Sequence, residues 1–213
     1  VYILIVNFGE KKLEYGKSYS LMQKYVDAIL QYKKDEKICI LEHLDVYTIG
    51  ASGNILDVVD NINNIPIFYT NRGGMVTYHG VGQKIIYFLL DLRKKSKDVK
   101  KFVLAIENLI IRVLKEFGII GFLKDGMVGV FVNHLEKEKK IAAIGVKFSR
   151  WVSSHGASLN VNVDLQKFNA IIPCGIKEFG VTSMEEVLGY KVEMARVDSA
   201  IVKNIDKFLI EIN

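Results

Sequence analysis

The 213-residue sequence holds only two cysteines and two prolines. Cys39 and Cys174 are too few for a disulfide framework or a cysteine-rich metal site, and a reducing cytoplasm is the compartment expected. Long apolar runs are missing as well. Runs such as residues 85–90 and 141–144 fall far short of the twenty or so residues a membrane helix needs. No charged segment followed by an apolar one opens the chain, so no secretory signal is expected. Internal repeats, low-complexity stretches and Pro/Gly/Ser-rich linkers are also lacking, and one domain over residues 1–213 is expected. What remains is an ordinary globular balance, half apolar and a quarter charged. The net charge of +5 fits attraction to an anionic partner and fits equally a chain merely rich in lysine.

Periodicity gives a coarse map. Residues 1–8 read as a strand, and 13–32 as a helix with apolar residues at Leu13, Tyr19, Met22, Tyr25, Val26 and Ile29. Residues 38–41 form a short apolar strand around Cys39, which reads there as a packing residue. Residues 45–66 carry glycines and asparagines and read mostly as loop. Residues 67–70 and 85–92 look like strands flanking a glycine-rich loop. Residues 98–118 make the clearest helix, opened by Asp98, closed by Gly118, with one apolar face. Strands follow at 127–133, 141–148 and 158–163, the first two separated by a charged turn over 136–140. Ser183 and Glu186 have capping-box spacing, and residues 197–212 read as a last amphipathic helix. Mixed elements with hairpin signals predict an α+β fold.

Four segments could carry chemistry. In Arg72-Gly73-Gly74-Met75-Val76-Thr77-Tyr78-His79-Gly80-Val81-Gly82-Gln83, four of the chain's 17 glycines would let backbone N–H groups approach a ligand; the spacing fits neither a Walker A loop nor a dinucleotide fingerprint. A tight strand connection explains it equally. Lys140-Ile-Ala-Ala143-Ile144-Gly145 places small residues where something packs against backbone, although Lys140, following Lys137 and Lys139, reads by itself as a solvated turn lysine. His155-Gly156-Ala157-Ser158 stands at the mouth of a strand, where the histidine could bind or simply turn the chain. Pro173-Cys174-Gly175 frames a thiol with two residues that fix irregular backbone, a setting for a nucleophile, while a lone cysteine is also commonly structural.

Together and in this order, these segments resemble the lipoyl(octanoyl) transferases. The shared stretches are Arg72-Gly-Gly, Thr77-Tyr-His-Gly, Gly82-Gln83, Lys140-Ile-Ala-Ala-Ile-Gly145, His155-Gly, Leu159-Asn-Val161 and Pro173-Cys-Gly175, with a weaker match at Tyr47-Thr-Ile-Gly50. The resemblance spans about residues 1–188. It implies a mixed, largely antiparallel sheet with flanking helices, similar to the biotin/lipoate protein ligase catalytic domain. It implies transfer of an octanoyl group from octanoyl-acyl carrier protein to a lysine of lipoyl domains, those of 2-oxoacid dehydrogenase complexes and of the glycine cleavage H protein. Cys174 would be the acyl-thioester nucleophile and Lys140 its partner. Arg72, Gly73, Gly74, Met75, Val76, Thr77, Tyr78, His79, Ala143, Ile144, Gly145, Gly156, Ala157 and Ser158 would line the acyl site. Two positions depart from the family pattern: Val81 stands where proline is usual, and Ser158 near a usual alanine.

The chemistry needs no ATP and no metal or cofactor. Exchange of one thioester for another is near isoenergetic, and an amine then yields the more stable amide. A thiol titrating near ~8.5 is only a few per cent thiolate at neutral pH. A lysine beside it helps either by charge, as an ammonium, or as a desolvated amine accepting the proton. An ATP-dependent lipoate or biotin ligase of the same fold is the nearest rival, and needs no nucleophilic cysteine. A basic nucleic-acid-binding protein is a remote one, since the lysines are scattered and no RRM, KH or helix-turn-helix signature is present. Neither nucleic acid nor membrane is expected as a partner.

Overall fold

The computed structural model describes residues 3–60, 64–172 and 179–213. Within them the strands are β1 (Ile3–Leu13), β2 (Glu36–His43), β3 (Val46–Ile49), β4 (Ile67–Tyr69), β5 (Val76–His79), β6 (Gln83–Leu89), β7 (Gly121–Lys124), β8 (Met127–His134), β9 (Lys137–Ser149) and β10 (Val152–Asn160). The helices are α1 (Tyr15–Leu30), α2 (Val99–Lys115), α3 (Met184–Leu188) and α4 (Met194–Ile212). Seven strands form one sheet in the order β1-β2-β6-β10-β9-β8-β7, and β4-β3-β5 form a smaller one. Only the β1–β2 and β3–β4 pairs are parallel among the strand pairs described. The α+β, mixed and largely antiparallel architecture expected from the sequence is what the chain adopts.

Alternation decides what each face of the large sheet buries. Ile38, Ile40, Ile86 and Phe88 point to α2 and α4, whose Phe102 and Phe208 close around Phe88. Cys39, Leu41, Ile85, Tyr87 and Leu89 point the other way, under Met22, Val26 and Ile29 of α1. Both faces are therefore covered, and that is why these strands read as unbroken apolar runs. The small sheet has its own core, with Tyr47, Ile49, Val76 and Tyr78 packed on Phe168 and Ile171.

Buried charge ties the sheet to α4. Lys84 has no exposed surface, and its Nζ lies 2.7 Å from Asp198 Oδ1 and 3.6 Å from Glu42 Oε1. Lys84 and Asp198 meet by charge and not by an aligned hydrogen bond. Glu42 also accepts the Gly82 N–H at 3.0 Å, holding the glycine-rich turn against the sheet.

Several expected boundaries move. β1 runs to Leu13, so that residue ends a strand and does not open α1. The described part of residues 45–66 is mostly loop as expected, but it opens with a strand, the wholly buried β3, and carries a 3₁₀ turn at Ile55–Asp57. The short β5 and β7 escape the periodicity argument, since four residues give too little alternation to read. β6 starts at Gln83 and stops at Leu89, because Asp91 turns into a 3₁₀ segment by accepting the Arg93 N–H. The helix expected over 98–118 is α2, capped by Asp98 accepting the Lys101 N–H at 3.0 Å; it stops at Lys115, and Gly118 at φ 75 completes the turn out. Ser183 caps α3 as expected, though Glu186 bonds Thr182 Oγ1 and not the Ser183 backbone. α4 starts three residues earlier than its apolar pattern suggests. Two corrections matter for the site. The turn of the β8–β9 hairpin is only Leu135–Glu136, both at positive φ (51° and 60°), so Lys140 sits inside β9 and not in a turn. Likewise β10 spans Val152–Asn160, so His155 lies within a strand, at φ 59, and not at its mouth.

Candidate active site

Lys140 owes its direction to a break in strand alternation. Pairing of β8 with β9 shifts between Val130 and Phe131, which face Ala142 and Lys140 respectively, leaving Ile141 as the extra residue of a bulge. Ile141 and Ala142 both enter the main core, while Lys140 and Ala143 line a cleft on the opposite face. Gly129 makes room for it: at φ 130, a Cβ there would sit 2.7 Å from the Ala142 oxygen and 3.2 Å from Lys140 Cε. The half-buried Lys140 places Nζ 3.1 Å from the Val128 carbonyl, to which it donates, and 5.2 Å from the centre of the Phe131 ring.

Behind it, Glu107 of α2 is buried in an otherwise apolar helix face and accepts the Gly129 N–H at 2.8 Å. Burial raises its carboxyl above the ordinary carboxylate range, with Lys140 pulling the other way. In front of it runs the segment after residue 178. The Lys140 N–H donates to Gly180 O at 3.2 Å, and Lys140 O accepts the Thr182 N–H at 3.0 Å. Phe179, Gly180 and Val181 thereby form a wall of the cleft. Cys174 lies outside the described residues, as do Pro173 and Gly175.

From Lys140 the cleft continues past Thr77, Ala143 and Ser158 into a second chamber that ends at Tyr15 and Tyr87. Arg72, Gly73, Gly74, Thr77, His79, Ala143, Ile144, Gly145, Gly156, Ala157 and Ser158 all reach this chamber. Met75, Val76 and Tyr78 do not line it. In β5 alternate residues face alternate ways: Thr77 and His79 look into the cleft, while Val76 and Tyr78 pack in the core of the small sheet. Two glycines are needed for close approach. A Cβ on Gly145 would meet Gly73 O at 2.9 Å, and one on Gly156 would meet Ile86 O at 2.0 Å.

Arg72 is buried and braces this wall. Its Nη2 donates to Thr48 O and to Met75 O, each at 2.7 Å, and its Nη1 to Gly73 O at 2.9 Å. His79 Nδ1 lies 2.7 Å from Gln83 Oε1. Gln83 Nε2 donates to Asn160 Oδ1 at 2.9 Å, and Asn160 Nδ2 donates to Thr182 O at 2.9 Å. Because Gln83 presents its oxygen, His79 carries its proton on Nδ1. A continuous chain of hydrogen bonds thus joins His79 to the residue bonded to the Lys140 carbonyl. Burial holds His79 and His155 down at about 3 and His43 at about 4, so all three are neutral at physiological pH. Tyr15 stacks on His79 with ring centres 6.1 Å apart, and burial pushes its hydroxyl up to about 12. Cys39 is buried as its apolar strand suggested, and its thiol is pushed up to about 11.

Sequence reasoning did not single out Glu107, Gly129, Phe131 or Asn160 as site residues. A lone carboxylate on the apolar face of α2 was a visible signal for Glu107; the other three show their role only once β8 and β10 flank β9.

Comparison with known proteins gives one answer. Residues 14–206 match the family model of the lipoyl protein ligase A/B catalytic domain. The chain is 41% identical over 196 residues to an octanoyltransferase of Wolbachia pipientis wMel, covering 92% of this chain and 94% of the relative. It is 45% identical over 195 residues to an octanoyltransferase of Rhizorhabdus wittichii, covering 92% and 86%. Among solved structures, a bi-partite lipoate protein ligase of Thermoplasma acidophilum aligns with TM-score 0.73 at 17% identity, over 97% of this chain and 82% of the other. A biotin protein ligase of Aquifex aeolicus aligns with TM-score 0.52 at 14% identity, over 98% and 69%. At such identities the structures speak for the fold alone.

Proposed function

The chain belongs to the octanoyltransferase family, and from that premise we propose that it carries the octanoyl group on Cys174, with Lys140 as the residue that moves the proton. Octanoyl-acyl carrier protein is the donor, and lysines of lipoyl domains, those of 2-oxoacid dehydrogenase complexes and the glycine cleavage H protein, are the acceptors. Lys140 takes the Cys174 proton and the thiolate attacks the donor thioester carbonyl; a new S–C bond forms, the old one breaks, and the pantetheine sulfur leaves as a thiol with the proton handed on by Lys140. The acceptor amine then attacks the Cys174 thioester. An N–C bond forms, the S–C bond breaks, and the proton released from nitrogen returns the Cys174 sulfur to its thiol through Lys140.

The observation that carries this reading is the seam between β9 and the segment that follows Cys174. Gly180 and Val181, six and seven residues beyond that cysteine, sit against the Lys140 backbone and wall the cleft into which Lys140 projects. The cleft itself suits an octanoyl chain, narrow between the small residues of β9 and β10 and closed at its far end by aromatic rings. Ser158 adds a hydroxyl at the junction of the two chambers. An ATP-dependent ligase of the same fold would use the same walls but would not need Cys174.

Intact-mass measurement after incubation with octanoyl-acyl carrier protein tests the covalent step. A gain of one octanoyl group is expected, lost in Cys174→Ser and kept in Cys39→Ser. Full activity in Cys174→Ala would give the ligase reading instead.

A further inference from the structure

A second cavity, of about 570 Å³, opens between α1 and the first two strands, on the side of Tyr87 away from the cleft. It exists because β1 leaves its partner. Pairing with β2 holds from Ile3 to Asn7, lapses, and resumes at Lys12. Gly9, at φ 58, turns the chain out, and its N–H is held by Asn7 Oδ1 at 2.8 Å. The lifted segment leaves an apolar floor of Cys39, Leu41, Tyr87 and Leu89 beneath Leu21 and Met22. Leu21 is 61% exposed at the mouth, so this apolar surface meets water.

The rim carries the opposite character. Among the described residues that line it, Lys11, Lys12, Lys17 and Lys37 surround the opening against one carboxylate, Glu14. Lys17 pairs with Glu14 at 2.8 Å. Lys37 lies 4.0 Å from the centre of the Tyr25 ring, and no ion pair between described residues engages Lys11, Lys12 or Lys37. An apolar trough of small-molecule size with a cationic lip matches a ligand with one hydrocarbon tail and one anionic head.

We propose that this groove binds a free fatty acid, its chain on the Cys39–Leu89 floor and its carboxylate among Lys11, Lys12 and Lys37. The site is separate from the acyl-transfer cleft, with the Tyr87 ring as the partition that lines both. Tyr87 is held there by its hydroxyl, 2.8 Å from His43 Nε2. The inference makes no use of Cys174 or Lys140 and stands or falls apart from the transfer mechanism.

Cys39 supplies the probe. With two cysteines in the chain, Cys174→Ser leaves Cys39 as the lone thiol, on the floor of the groove. Its modification by methyl methanethiosulfonate is followed while dodecanoate is titrated below its micelle concentration, with titration calorimetry as an independent count of sites. Saturable protection is expected. Reversing the lip with Lys11→Glu and Lys12→Glu together should raise the half-protecting concentration roughly tenfold, equivalent to ~1.4 kcal/mol. Ala143→Leu, which obstructs the transfer cleft, should leave protection of Cys39 intact. Absence of both protection and rim-dependent heat would overturn the proposal. So would loss of protection in Ala143→Leu, or equal protection by uncharged dodecanol.

Discussion

Acid should unfold this protein well before its carboxylates titrate. His43, His79 and His155 are 0%, 8% and 2% exposed, and burial holds their pKa values at about 4, 3 and 3. In the unfolded chain each takes a proton near ~6.5. The sign follows from proton binding: below that value the unfolded state binds protons that the folded state refuses, so stability falls with pH until the folded pKa is reached. At pH 5 the gap is about 1.5 pH units at ~1.4 kcal/mol each, close to 2 kcal/mol per histidine. Three such residues together approach ~6 kcal/mol, comparable with the whole stability of an ordinary domain. Glu107 works the other way, because a carboxyl raised by burial favours the folded state as pH falls. Urea unfolding at pH 7, 6 and 5 reads the effect directly. His155→Asn keeps a side chain tolerant of the positive φ at that position, and should flatten the acid limb by about a third if the three histidines contribute equally. A stability that stays level from pH 7 to pH 5 would refute the idea that these rings are buried neutral.

Two further changes address the cleft. Lys140→Met keeps length and apolar packing but removes the amine, and should slow acyl-enzyme formation about 10²–10⁴-fold near neutral pH. The loss should shrink as pH rises towards the thiol's own range, as rapid-quench intact-mass measurement would register; an unchanged rate would assign the proton to another group. Gly129→Ala puts a Cβ 2.7 Å from Ala142 O and 3.2 Å from Lys140 Cε, at a backbone angle alanine disfavours. It should cost ~1–3 kcal/mol in a urea titration and slow transfer as well, and a variant matching the parent in both would mean that Gly129 does not set the lysine's course.

The large elements were legible because their signals are long. The face of α2 repeats over four turns, and Asp98 and Gly118 bracket it with capping chemistry that operates locally. The apolar runs of β2 and β6 read as strands and are strands; their unbroken apolar character comes from a sheet covered on both faces. Of the small sheet only β4 was legible, as the strand at 67–70; β3 and β5, four residues each, were not. β3 reads as loop from its neighbourhood, since the glycines and asparagines that suggest a loop belong to the segment after Ile49. What makes residues 46–49 a strand is pairing with residues 76–79, some thirty positions away, and no local pattern records that.

The site was legible in residue type and illegible in position. Lys137, Lys139 and Lys140 follow one another in a charged run, and a charged run between two apolar segments is what a solvated turn looks like. The turn is in fact complete at Glu136, and the run is the first stretch of β9. Lys139 turns outward to within 3.8 Å of Glu186, while Lys140 turns into the cleft. Strict alternation from Lys140 would send Ile141 one way and Ala142 the other. The bulge opposite Val130–Phe131 absorbs Ile141 into the core beside Ala142, so Lys140 and Ala143 end up on the same side. A bulge is a property of two strands, fixed here by a glycine at φ 130 on one and an extra residue on the other. Only when β8 is laid against β9 does a lysine that looks like a surface residue become the polar end of an apolar cleft.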